Sequence, residues 1–240
     1  MLRKIIFPVL LGVAGCGVLI WLGMWQIDRL AWKEDILANI NARLAADPAP
    51  FSPDVIEADD EYTRVTLSGT PTGEELHVLV SGTAAGTGYR VISRFATDDG
   101  LTILLDQGLL PLDAKAAAPL LAPMQVTGTL VWPDDQTSST PDPDLPANIW
   151  FARNVDTMAA ALDSLPVMVV ATATTPADPR LTALPVATAD IKNDHFAYAV
   201  TWFLLAIVWA VMSLFLILRT ASAKGRLIMR YTRPVARRPC

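Results

Sequence analysis

Residues 5–27 read IIFPVLLGVAGCGVLIWLGMWQI, and residues 196–218 read FAYAVTWFLLAIVWAVMSLFLIL. Each is a run of 23 residues without a charge. At about 1.5 Å of rise per residue, each is long enough to cross a bilayer core of about 30 Å. A helix in a soluble core rarely runs so far without a polar side. The two runs therefore predict membrane-spanning helices. They divide the 240 residues into a short N-terminus (1–4), a first span (5–27), a middle block (28–194), a second span (195–218) and a tail (219–240).

Charge is segregated in the same way. Residues 1–27 carry Arg3 and Lys4 and no acid, and residues 219–240 carry seven basic residues and no acid. All 24 Asp and Glu lie in the middle block with the other ten basic residues, which leaves that block at −14. Basic flanks mark the cytoplasmic side of a membrane. Two spans return the chain to the side it left, so both termini are expected inside and the acidic block outside, in a bacterial periplasm. A block this acidic is unsuited to nucleic acid, which needs a positive footprint. Val13-Ala14-Gly15-Cys16 looks like a lipoprotein cleavage box, but the apolar run continues past Cys16 to Leu22, which favours a retained span.

The middle block predicts one mainly antiparallel β domain, as a sheet or partly open barrel, so that the whole reads as a membrane-anchored α+β protein. Residues 28–46 keep a helical pattern and extend the first helix as far as Asp47-Pro48. Strand character follows over 62–67, 76–81, 89–95, 101–105, 125–132, 149–153 and 167–172. Asp98-Asp99-Gly100 is expected to turn a hairpin, Asn154 to cap a short helix over 155–162, and residues 133–148 to form a mobile loop. The block contains no nucleophile elbow, no H-E-x-x-H pair and no phosphate-binding glycine loop. It does not read as an enzyme. His77 is expected on the surface.

His195 differs from His77 because it opens the second span. Helical spacing puts His195, Tyr198, Ala199 and Trp202 on one stripe, and Trp21, Trp25, Arg29 and Trp32 on a comparable stripe of the first span. Counted inward at about 1.5 Å per residue, Trp21 and Trp202 both lie about 9 Å deep, so the stripes are expected to meet if the helices pair. A neutral imidazole there has a nitrogen suited to metal. An interfacial aromatic belt accounts for the tryptophans, but not for a histidine and an arginine at matching levels. Residue chemistry alone leaves both readings open.

Three stretches carry a family resemblance. Residues 22–33, Leu22-Gly23-Met24-Trp25-Gln26-Ile27-Asp28-Arg29-Leu30-Ala31-Trp32-Lys33, resemble the signature L-G-x-W-Q-x-x-R-x-x-W-K. Gly88-Tyr89-Arg90-Val91 resembles G-Y-x-V, and residues 193–206, from Asn193 to Ala206, resemble N-x-H-x-x-Y-A-x-T-W-F-x-L-A. These are motifs of the Surfeit locus protein 1 family, assembly factors of haem-copper cytochrome c oxidase. Where that family reads V-N-R-G-W-V-P, this chain has Leu105-Asp106-Gln107-Gly108-Leu109-Leu110-Pro111, without the arginine and the tryptophan.

The resemblance implies a role in the bacterial inner membrane in binding haem a or handing it to the oxidase catalytic subunit, with the haem a synthesis enzyme as a second partner and lipid around the spans. His195 would then be the axial iron ligand, Trp25, Tyr198 and Trp202 would pack the macrocycle or its tail, and Arg29 would pair with a propionate. The alternative is a cofactor-free scaffold that stabilises oxidase subunits through its helices and outer domain. An anchored outer domain with an unrelated ligand is a third reading.

Overall fold

A computed structural model describes residues 3–83, 85–188 and 191–231. The ends of the N-terminal segment and of the basic tail, with Arg233, Arg237 and Arg238, lie outside the described residues. The chain divides into two compact units, one of residues 1–37 with 191–240 and the other of Ala38–Asp190.

The first unit is a pair of long helices, α1 (Arg3–Ala45) and α4 (His195–Tyr231), the last turns of α1 counting with the second unit. Both helices are long and apolar enough to cross a membrane, and they anchor the protein there. The expected extension of the first helix past residue 28 is present, as α1 runs unbroken to Ala45. The pairing is antiparallel. Gly12 meets Ser213, Gly15 meets Trp209, Cys16 meets Ala206 and Gly23 meets Phe203. Lipid tails are as apolar as leucine, so such helices associate through close packing, and small residues let the backbones approach. A Cβ built on Gly23 would sit 2.6 Å from Phe203 Cε1, and one on Gly15 would enter the Trp209 indole. Thr201 and Thr220 donate to carbonyls four residues back, at 2.9 and 2.7 Å, which satisfies their hydroxyls inside the helix.

The second unit is a closed β-barrel. The strands are β1 (Ala49–Pro50), β2 (Arg64–Thr83), β3 (Gly86–Thr97), β4 (Thr102–Pro111), β5 (Met124–Val131) and β6 (Met168–Thr175), with a one-turn helix, α2 (Glu57–Asp60), between β1 and β2. They run in the order β1-β2-β3-β4-β6-β5, and β5 returns to pair with β2. The β4–β6 pair is parallel and the other pairs around the ring are antiparallel. The sheet or partly open barrel expected from the sequence is a barrel, closed by the β2–β5 pairing. Two predicted strands, 62–67 and 76–81, are one strand, β2, which passes through an irregularity between Pro71 and Glu75. Residues 149–153 do not form a strand. They contribute only single bridges, Trp150 to Val78 and Ile149 to Asp144.

The core has two layers. Inside the barrel, Val65, Leu67, Phe95, Ile103, Leu105, Val126, Leu130 and Val169 pack together. Outside β3 and β4, Ile92, Leu104 and Met168 meet Trp150 and the helix α3 (Val155–Ala161), through Val155, Met158 and Ala159. Residues 103–110 of β4 are therefore buried on both faces, as its continuous apolar run requires. Asn154 caps α3, its Oδ1 accepting from Thr157 N at 3.0 Å, and Asp98-Asp99-Gly100 turns β3 into β4 with Gly100 at φ 82°. The stretch expected as a mobile loop, 133–148, has defined attachments. Asp134 Oδ1 accepts from Asn154 at 3.1 Å, Asp135 Oδ2 from Arg153 at 2.7 Å, and Asp144 N donates to the Ile149 carbonyl at 2.9 Å.

Candidate functional site

The polar side chains of the barrel are largely bound to one another. Arg180, on the segment after β6, contacts Asp178 at 2.8 Å and Glu75 on β2 at 2.9 Å, and Glu75 lies 3.4 Å from His77 Nε2. His77 is 7% exposed, not a surface residue as expected. Strand alternation does place it opposite Leu76 and Val78, but Tyr89 and the Glu75–Arg180 pair cover that side. Its Nδ1 is buried without a partner. Burial alone would raise the Glu75 and Asp178 carboxyls. Hydrogen bonds from His77 and Arg180 at Glu75, and from Arg180 and backbone N–H groups at Asp178, outweigh it and hold both below their ordinary values. Asp106 is the opposite case. It is fully buried, and desolvation raises it despite Arg90 and Arg153 beside it. These charges fasten strands and loops together and leave little for a ligand.

The helix pair offers a different arrangement at its His195 end. His195 Nδ1 lies 2.7 Å from Gln26 Oε1. With that oxygen as acceptor, Nδ1 carries a proton, and in the neutral tautomer Nε2 keeps a lone pair. No described residue bonds to Nε2. A histidine oriented through one nitrogen by an outer partner, with the other free, is the usual arrangement for a metal ligand. The ring therefore offers one nitrogen donor. Next to it, Asn193 Oδ1 is a buried acceptor without a partner. The Asp194 carbonyl starts the helix by accepting from Tyr198 N at 3.1 Å, and Lys33 Nζ bonds the Lys192 carbonyl.

Sequence reading missed Gln26 as a site residue and expected Arg29 opposite the imidazole. Arg29 is instead stacked over Trp32, 3.6 Å from the ring centroid. A signal for Gln26 exists, because Gly12, Leu19, Gln26 and Lys33 are seven apart and are among the less exposed positions of α1.

Helical phase places the other expected residues. At 3.6 residues per turn, Trp25 and Arg29 fall to one side of the Gln26 line and Gly23 to the other. The helices are antiparallel, so Tyr198 shares the flank of Trp25 and Arg29, whereas Phe203, which covers Gly23, lies on the opposite flank. Trp21, Trp25 and Tyr198 are 65%, 49% and 57% exposed, and Trp202 is half-buried. The space between the helices is filled by their own small-residue packing. What His195, Arg29, Trp25 and Tyr198 share is an open aromatic flank. Among the described residues no cluster of three His, Cys, Asp or Glu could hold a metal ion.

The SURF1 family's sequence pattern matches residues 13–207. The chain belongs to the SURF1 family. A SURF1-like protein of Monosiga brevicollis is 30% identical over 224 residues, covering 85% of each chain. Surfeit locus protein 1 of Rattus norvegicus and of Homo sapiens are each 25% identical over 212 residues, or 76% of this chain and 66% and 68% of theirs. This SURF1-family chain thus spans about two thirds of the length of those vertebrate relatives. The match includes Gln26 and the flank residues of α1, and it ends at Ile207, after His195, Tyr198 and Trp202.

Proposed function

We propose that the protein is an assembly factor of haem-copper cytochrome c oxidase that holds haem a on the flank of its helix pair and passes it to the catalytic subunit. The observation that carries this is the His195–Gln26 bond at 2.7 Å, which leaves Nε2 free. Haem a supplies an iron that accepts an imidazole nitrogen and an apolar macrocycle that avoids water. His195 offers the nitrogen and Gln26 fixes the ring. Trp25, Tyr198 and Trp202 give the macrocycle apolar and aromatic surface. The Arg29 guanidinium meets a propionate, with Trp32 holding its other face. A flank open along its length suits transfer, because a carried group can leave sideways. In the same reading the protein sits in a bacterial inner membrane with both termini inside and the acidic barrel in the periplasm, next to the catalytic subunit and the enzyme that makes haem a. It performs no catalysis itself.

The test is spectral. Full-length protein purified from cells that make haem a should carry its absorbance, and His195→Ala should lose most of it while the barrel's thermal transition stays in place. Equal haem content and an unchanged spectrum in His195→Ala would remove His195 from the ligand role. The scaffold reading draws on the uncovered apolar surface of both helices, including Phe196, Leu204 and Val208. It predicts co-purification of oxidase subunits with no haem in the isolated factor.

A further inference from the structure

The aromatic flank does not end at Trp21 and Trp202. Further into the span lies an apolar groove of about 470 Å³, lined by Leu11 of α1 and by Trp209, Met212, Ser213, Phe215 and Leu216 of α4. Leu11 stands eighteen residues before Arg29, Ser213 eighteen after His195, and Leu216 eighteen after Tyr198. Eighteen residues make about five turns, so each lies along its helix from a residue of the candidate site. The groove therefore opens on the same flank as the site, and Trp202 and Trp209, seven apart, connect the two levels. Its depth below His195 is about 21 Å at Trp209. Its size falls in the range of about 300–1,000 Å³ that accepts small organic groups. Its lining is apolar apart from the Ser213 hydroxyl and the Trp209 indole N–H, and both residues pack against glycines of α1, Gly12 and Gly15.

We infer that this groove receives the isoprenoid tail of the haem whose macrocycle is held at His195. The inference rests on the proposed function and deepens it, by making the tail the feature that selects haem a. The groove and the site share one flank of the helix pair, and a long apolar substituent on a ligand held at His195 runs along that flank into the groove. The groove also accounts for the size of Trp209, whose indole overlies Gly15 and closes one wall.

The experiment titrates purified full-length protein with haem a and with haem b, which has a similar macrocycle without the tail, and follows the absorbance. Leu11→Trp and Met212→Trp fill the groove from side chains that face away from the helix contact, at 47% and 64% exposure, so helix pairing is preserved. Wild-type protein should bind haem a about tenfold or more tightly than haem b. The filled variants should lose that preference, with haem b binding unchanged. Equal affinity of wild type for the two haems, or full retention of the preference in both filled variants, overturns the tail site while leaving the His195 site standing. If wild type shifts the spectrum of neither haem, the proposed function fails and this inference with it. Loss of a co-purifying phospholipid from the filled variants, with haem preference intact, makes the groove an acyl-chain site and also overturns the proposal.

Discussion

The arginines of the two units are used differently. In the barrel, Arg90, Arg94, Arg153 and Arg180 each reach a carboxylate, and the Asp106 that serves Arg90 and Arg153 is wholly buried. In the helix pair, Arg29 has only the Trp32 ring as a recorded neighbour, and no carboxylate among the described residues. The histidines repeat the contrast. His77 is enclosed with Glu75, Arg180 and Tyr89, whereas His195 is held by one nitrogen and offers the other. A charge already paired inside a fold contributes to that fold, and breaking the pair leaves a buried ion. A polar group that is oriented yet unfinished remains available to something else. By that criterion the charges of the barrel support its fold, and the polar groups left unfinished lie in the helix pair.

The contrast can be broken at its structural end first. Arg180→Ala should leave Glu75 and Asp178 buried without their cation, and cost the barrel about 3–5 kcal/mol. Thermal unfolding of the full chain reads this, and a loss well under 1 kcal/mol would mean the cluster is solvated. The same variant sharpens the pH dependence. Glu75 and Asp178 are held below their ordinary values of 4.5 and 3.8, so their contribution is complete above those values and is lost as the pH falls below them through the lowered values of the folded state. Asp106, raised by burial, acts in the opposite sense. Arg180→Ala should therefore flatten the fall in melting temperature as the pH drops below 4.5.

The helix pair should respond to bulk. In a background with Cys240→Ser, Ala206→Cys should cross-link to Cys16, whose Sγ lies 3.8 Å from the Ala206 carbonyl. Adding Gly15→Leu should abolish the cross-link, because the new side chain collides with Trp209. A persistent cross-link would show that the helices meet elsewhere. At the site, Gln26→Leu should weaken haem binding by about 10- to 100-fold, the usual effect of removing a ligand's outer partner. Gln26→Glu, which keeps an acceptor, should recover most of it. No difference between the two variants would assign Gln26 to packing alone. The smallest effect expected is at the α3 cap, where Asn154→Ala should cost the barrel about 1 kcal/mol and leave the haem spectrum unchanged.

How much of this could be read from the chain depended on how local each feature is. The spans are runs of 23 uncharged residues, and no distant partner changes that. The Asn154 cap and the turn at Gly100 depend on three or four neighbouring residues and are equally plain. Barrel closure was not legible, because β2 meets β5 across the whole of β3 and β4. The burial of His77 depends on Arg180, more than a hundred positions later. Residues 149–153 have the composition of a strand but meet only single partners, Trp150 on β2 and Ile149 with Asp144. Gln26 is legible only through its place in a seven-residue repeat with Gly12, Leu19 and Lys33, because one amide within an apolar run specifies no partner.

The seam between β2 and β5 also has a consequence for how the molecule is made. Arg64 pairs with Thr129 and Gly69 with Met124, and the remaining gap in the ring is filled by β6, which ends at Thr175. Until that strand has emerged, the nascent domain is an incomplete ring with two bare edges, each a template for unwanted pairing. Long-range closure of this kind is slow compared with helix formation. Biogenesis therefore has a vulnerable interval between synthesis of β2 and synthesis of β6, and it ends shortly before the ribosome reaches the second apolar helix. A holding chaperone would be needed most in that interval.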